Sequence, residues 1–211
     1  MTTMSVKRPT VQLSGAALMA VLSVILQCLP PIFLTPWYMR IDLVAVPWII
    51  CWFLFGFKPA FLSLLLSIPL VGLLGPFAGG WVGAIMKSVA SMWMILIPEI
   101  ARYASKGNYA LPRYTLSVLV AVMVRALACV LFNLYFAIPI FFGMSPSDVI
   151  AFFSNPRFQS FVGLSLGLIG LTAYVVEVSF WNIVQGIIDA YASFLIYLAI
   201  VKRLCLRQIT S

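Results

Sequence analysis

Apolar residues run along this chain in long blocks with short polar interruptions, instead of alternating as they do in a half-buried strand. Cut at their flanking charges, prolines and glycines, the blocks cover residues 12–34, 42–57, 59–75, 81–102, 114–142 and 180–201. A helix needs about 20 apolar residues to cross a hydrocarbon layer of roughly 30 Å. The pattern therefore predicts an all-α bundle of six transmembrane helices, with residues 1–211 forming a single domain. The second and third blocks are short and meet at Phe57-Lys58-Pro59, which predicts a tight helical hairpin. A further apolar stretch, 158–178, stands before the last block. It is expected to be a long outer segment lying over the mouth of the bundle, or a bent extension of the last helix.

Charge placement sets this choice. Lys7, Arg8, Lys58, Arg102, Lys106, Arg113, Lys202, Arg203 and Arg207 fall on one side of six spans, while a seventh span would put the last three on the other. By the excess of cations in cytoplasmic loops, that side is the cytoplasm and both termini are cytoplasmic, in a multi-pass protein of the cell membrane. Arg40, Asp42, the glycine-rich turn from Gly75 and the loop with Asp148 and Arg157 face outward. The first block follows about ten residues and lacks a small-residue cleavage site, so it is expected to be retained.

Composition supports the membrane and removes several chemistries. The chain is 64% hydrophobic and 9% charged with a mean hydropathy of +1.12, against about 25% charged residues in an ordinary soluble domain. Its net charge of +8 is scattered between apolar blocks and gathers on no polar face, which argues against nucleic acid as a partner. Histidine is absent, so the commonest general base and metal ligand is missing. Cys28, Cys51, Cys129 and Cys205 form no metal-ligand spacing, and no GxxxxGK[ST] phosphate loop occurs. No catalytic or metal site is expected.

Polar side chains inside the blocks are where function is to be sought, because an ionisable group in a span costs about 2.5–3.5 kcal/mol on insertion scales. Lys87, Arg125 and Asp189 are such groups, and Arg125 is best read as a structural tie to Asp189. Lys87, Asn133, Asn182 and Gln185 fall at one depth near the outer surface, with Trp81, Tyr135 and Trp181 close by. Asn182, Gln185, Gly186 and Asp189 share one helix face by their i, i+3, i+4, i+7 spacing, and Gly186 would admit a flat ligand or another helix. Amides with aromatic cover suit a small planar molecule with both donors and acceptors. Each has a plainer reading: Lys87 snorkelling to the interface, the aromatics as an interfacial belt, the asparagines as interhelical bridges. On the first helix Ala16-x-x-x-Ala20 allows close approach of another helix.

These features together resemble the S-components of energy-coupling factor (ECF) transporters, most closely the riboflavin-binding type, RibU. The resemblance runs over nearly the whole chain. It rests on the order of Arg40-Ile41-Asp42-Leu43 with Pro47, Gly75-Pro76, Phe132-Asn133-Leu134-Tyr135-Phe136-Ala137-Ile138-Pro139 and Phe180-Trp181-Asn182-Ile183-Val184-Gln185-Gly186. It implies a six-helix subunit that binds a vitamin from outside and has no ATPase site or cofactor of its own. It also implies docking, through Ala16 and Ala20, on a membrane coupling subunit driven by two ATPase subunits. Asn133 and Asn182 match ligand positions of the riboflavin type, whereas Gln185 stands where a Lys is expected and Lys87 where an Asn is expected. Segment 143–178 is longer than the resemblance implies. Riboflavin is the leading ligand; another micronutrient, such as a queuosine precursor or pantothenate, would satisfy the same residues. An ion-coupled secondary carrier is the rival from another class, and only Asp189 and Glu177 could serve it.

Overall fold

The computed structural model describes residues 8–35, 39–74, 80–106 and 110–210, with side chains through residue 203. Lys7, most of the glycine-rich turn including Gly75-Pro76, and the side chains of Cys205 and Arg207 lie outside the described residues. Helices α1 (Pro9–Cys28), α2 (Val46–Phe55), α3 (Phe57–Leu74), α4 (Gly80–Ala104), α5 (Leu111–Phe132), α6 (Ile138–Phe142), α7 (Pro146–Ser154), α8 (Phe161–Ser165) and α9 (Gly170–Thr210) follow in order. A two-stranded antiparallel ribbon, β1 (Phe33–Leu34) with β2 (Arg40–Ile41), joins α1 to α2 and pairs Phe33 with Ile41. The all-α membrane bundle expected from the apolar blocks is the architecture found. Among the described residues, five helical stretches are long and apolar enough to cross a membrane, and α2 is a sixth, shorter apolar helix.

Helix α2 departs most from its block. Ten residues rise only about 15 Å, half a bilayer, because the chain from 42 to 45 is not helical and carries the buried Asp42. A short span with irregular backbone at its end survives only if protein encloses it. Accordingly Val46 to Phe53 are all buried, and α2 packs against α1, α3, α4 and α9. Trp48, Trp52 and Phe53 form the centre of the main core with Tyr114, Met94 and Ile95. The turn after α2 is made by Gly56 alone, at φ +91°, a conformation open to glycine without strain. Phe57-Lys58-Pro59, expected as the turn, instead begins α3, where Pro59 sits in the first turn and costs no helical hydrogen bond.

The fifth block is one continuous rod of α5, a π-helical turn (Asn133–Ala137) and α6. Pro139 explains the wide turn. Its ring would press on the carbonyl four residues back, and it has no N–H to offer, so the helix expands around Asn133 to Ala137 and recloses with Ile138 N–H on the Asn133 carbonyl. The last helix begins at Gly170, ten residues before the expected start at 180, so 170–178 is a continuous extension of it. Residues 143–169 then cross between the ends of α6 and α9 through α7 and α8. We call this end of the bundle, together with the ribbon, the distal end; Pro9, Gly56 and Thr210 lie at the proximal end.

Gly15 brings α1 against α2: a Cβ there would stand 2.5 Å from a carbon of the Phe55 ring. Gly15→Ala is expected to destabilise the bundle by about 1–3 kcal/mol through overpacking. Thermal unfolding of the purified protein in detergent checks this, and Phe55→Leu in the same chain should recover part of the loss.

Candidate functional site: a buried polar layer at the distal end

The ribbon turns Arg40 and Asp42 inward, so two charged side chains enter the top of an apolar bundle at 8% and 4% exposure. Each must find partners there, since a buried charge without them is strongly destabilising. Arg40 Nη2 donates to the carbonyls of Gln27 (3.2 Å) and Leu29 (2.7 Å), satisfying the open end of α1. The Asp42 carboxylate accepts from Val44 N–H at 3.1 Å and from the Lys87 ammonium of α4, which also donates to Gln27 Oε1 at 3.2 Å. Lys87 therefore does not snorkel; its charge is held inside by Asp42.

Helix α9 closes the layer from the other side. Gln185 Oε1 accepts from Asp42 N–H (3.0 Å) while its Nε2 donates to Asp42 C=O (2.7 Å), a two-point clamp between a side-chain amide and one backbone residue. The same Nε2 donates to Asp189 Oδ1 at 2.7 Å, and Asp189 Oδ2 accepts from Arg125 Nη1 of α5 at 2.8 Å. The expected Arg125 to Asp189 tie is thus present, with side chains 4% and 0% exposed. The charges and amides of α1, the ribbon end, α4, α5 and α9 form one connected layer. Such a layer fixes the position of the ribbon and leaves its polar atoms oriented, as a binding floor requires.

The sequence-predicted residues divide between this layer and the rim above it. Lys87 and Gln185 belong to the layer. Gly186 is a point of helix contact, because a Cβ there would stand 2.7 Å from Val122 Cγ1, so the close approach goes to α5 and not to a flat ligand. Asn182, buried one turn above Gln185, donates Nδ2 to its own helix at the Val178 carbonyl (2.9 Å). Trp181 is half-buried, with its ring centroid 5.4 Å from that of Phe33, and donates Nε1 to Glu177 Oε1 at 2.7 Å. Asn133 is half-buried on the π turn, while Tyr135, two residues on, is 57% exposed and faces outward. Ala16 and Ala20 are 0% and 2% exposed. The small face of α1 packs inside the chain, so the docking expected of it meets a surface already covered.

Gln27 and Glu99 had no place in the sequence reading, and Asp42 stood there as an outward-side charge and as part of the Arg40-Ile41-Asp42-Leu43 stretch, without a role in the site. Gln27 and Asp42 complete the layer, and their signal was weak: Asp42 sits at the edge of an apolar block, where a polar residue is ordinary, and Gln27 is a single uncharged amide within one. Glu99 lies at the proximal end, where it accepts from Trp52 Nε1 (2.8 Å) and from Arg102 Nε and Nη2 (2.9 and 2.7 Å). It borders a cleft of about 530 Å³ with Arg102, Tyr103, Ala104 and Lys106. Among the described residues no group of His, Cys, Asp or Glu is arranged to hold a metal.

A solved structure of the S component of a bacterial ECF transporter has this architecture. It matches with a TM-score of 0.68 at 19% identity, over 93% of this chain and 99% of that one. The likeness is one of fold. No family profile and no curated protein matches the sequence.

Removing one partner of the buried Arg125 to Asp189 pair leaves an uncompensated charge, so Asp189→Ala is expected to cost about 3–5 kcal/mol. Pairing it with Arg125→Met should restore most of that stability, and chemical or thermal unfolding in detergent measures both.

Proposed function

We propose that this chain is the substrate-capturing membrane subunit of an ATP-driven importer of the ECF type. The observation that carries the reading is the whole-length agreement of fold with an ECF S component, 93% of one chain on 99% of the other. In this role the chain binds a small nutrient and catalyses nothing, and the energy comes from a coupling subunit and two ATPase subunits. The polar layer is the floor of the site. Gln185 and Lys87 build that floor by holding the ribbon, and are positioning residues. Asn182, Asn133 and the half-buried Trp181 stand above them as the groups that meet the ligand.

The leading substrate is riboflavin or a related flavin. Its flat ring system suits cover by Trp181 and Phe33, and its imide edge, with donors and acceptors in alternation, suits amide side chains. Asn182 can turn its amide from the Val178 carbonyl to a ligand at little cost, because a helix carbonyl already accepts a backbone bond. A different planar micronutrient of similar size is the second reading, favoured by Gln185 standing in place of a Lys.

Flavin titration followed by fluorescence quenching tests this directly, and native mass spectrometry of the purified protein names any other co-purifying ligand. Asn182→Ala and Asn133→Ala are each expected to weaken binding about 5- to 150-fold, from loss of one or two hydrogen bonds worth about 1–3 kcal/mol in total, with yield and melting temperature unchanged. Unaltered binding in both variants would remove these residues from the site.

A further inference from the structure

The segment joining α6 to α9, residues 143–169, has a distribution of polarity that a loop in water does not need. Its first part exposes Ser145, Ser147, Asp148, Asn155 and Arg157. Its second part exposes Phe161 (65%), Leu164 (59%), Leu166 (63%) and Ile169 (50%), with no charged residue from 158 to 176. Exposed apolar clusters of this kind mark a surface that something apolar covers.

Most backbone N–H groups of that second part are paired within the protein. Val162 N–H donates to Glu177 Oε2 (2.6 Å) and Gly163 N–H to Ser160 Oγ (3.1 Å). The N–H groups of Leu164, Leu166, Gly167, Leu168 and Gly170 donate to carbonyls within 158–164. Among the acceptors, Gly163 C=O takes two of these bonds, and the carbonyls of Phe161 and Ile169 accept from Ser165 Oγ and Thr172 Oγ1. Satisfying such groups internally, down to the use of a 1% exposed carboxylate on one amide, is what non-helical backbone beside lipid requires.

Length points to the same surroundings. The rod Leu111–Phe142 has 32 residues and the apolar part of α9, Gly170–Arg203, has 34, so each rises about 50 Å where the hydrocarbon is roughly 30 Å thick. The exposed ladder on the rod, Leu119, Met123, Leu127 and Leu131, continues through the amphipathic Tyr135 into Ile140 and Phe142, next to the segment, without an exposed charge. Rods this long accommodate by tilting, kinking or local thickening of the bilayer, each of which brings their distal ends and the segment between them closer to the membrane surface.

We propose that 161–169 is sunk into the distal leaflet of the bilayer, with 145–159 at headgroup level, so that the connection between α6 and α9 is a membrane-anchored collar whose partner is phospholipid. This follows from exposure, backbone pairing and length, and is independent of the substrate.

Site-directed spin labelling of the full chain in phosphatidylcholine and phosphatidylglycerol liposomes tests it. Cys28→Ser and Cys205→Ser provide the background, Cys51 and Cys129 being buried. Nitroxides are placed at Leu164→Cys and Asn155→Cys, with Leu166→Cys as the alternate if the first folds poorly. Oxygen is expected to relax the label at 164 more than a water-soluble nickel chelate does, and the order is expected to invert at 155. Dominance of nickel at both 164 and 166 would place the segment in water and overturn the proposal. Exclusion of both reagents there would overturn it too, in favour of cover by protein such as a second copy.

Discussion

An ammonium and a carboxylate taken out of water must be brought together, and here Lys87 and Asp42 meet although they are 45 residues apart. That contact constrains the distal half of the bundle. To reach Lys87, Asp42 must lie inside, so the ribbon folds inward and α2 starts late and stays short. A short α2 cannot face lipid at both ends, and it becomes the apolar core that α1, α3, α4 and α9 enclose. Gln185 then fixes the same Asp42 by its backbone from α9, so that three separate parts of the chain are registered at one residue.

This arrangement also separates the residues that hold the floor of the proposed site from those free to use it. Gln185 makes three hydrogen bonds within the chain, and Lys87 makes two. Groups so engaged are worth more as scaffold than as ligand contacts, since releasing them exposes buried charge. Among the described residues Asn182 bonds a carbonyl of its own helix, and Trp181 packs its ring against Phe33. A proposed site with a rigid charged floor and an adaptable amide and aromatic rim combines fixed geometry with modest cost of binding.

Helix terminus and turn chemistry account for the remaining departures from the apolar blocks. Gly56 sets the α2 to α3 reversal, Pro139 the π turn, and Ser145 with Asp148 a capping box that starts α7. These signals are local and were present in the residues. Hydropathy outweighed them because block boundaries are read from averages, and an average does not register one residue with an unusual backbone.

The amino-acid sequence alone determined the solvent, the number of apolar segments and the tie of Arg125 to Asp189. Each follows from transfer free energy: apolar blocks seek lipid, and a charge within one seeks its opposite. Only the tertiary structure decided that Gln185 clamps Asp42, that Gly186, Ala16 and Ala20 face inward, that Tyr135 faces outward, and that α9 starts at Gly170. Those outcomes depend on the rotation of each helix about its axis and on which neighbour it meets. Spacing along a helix says which residues share a face; packing says where that face points.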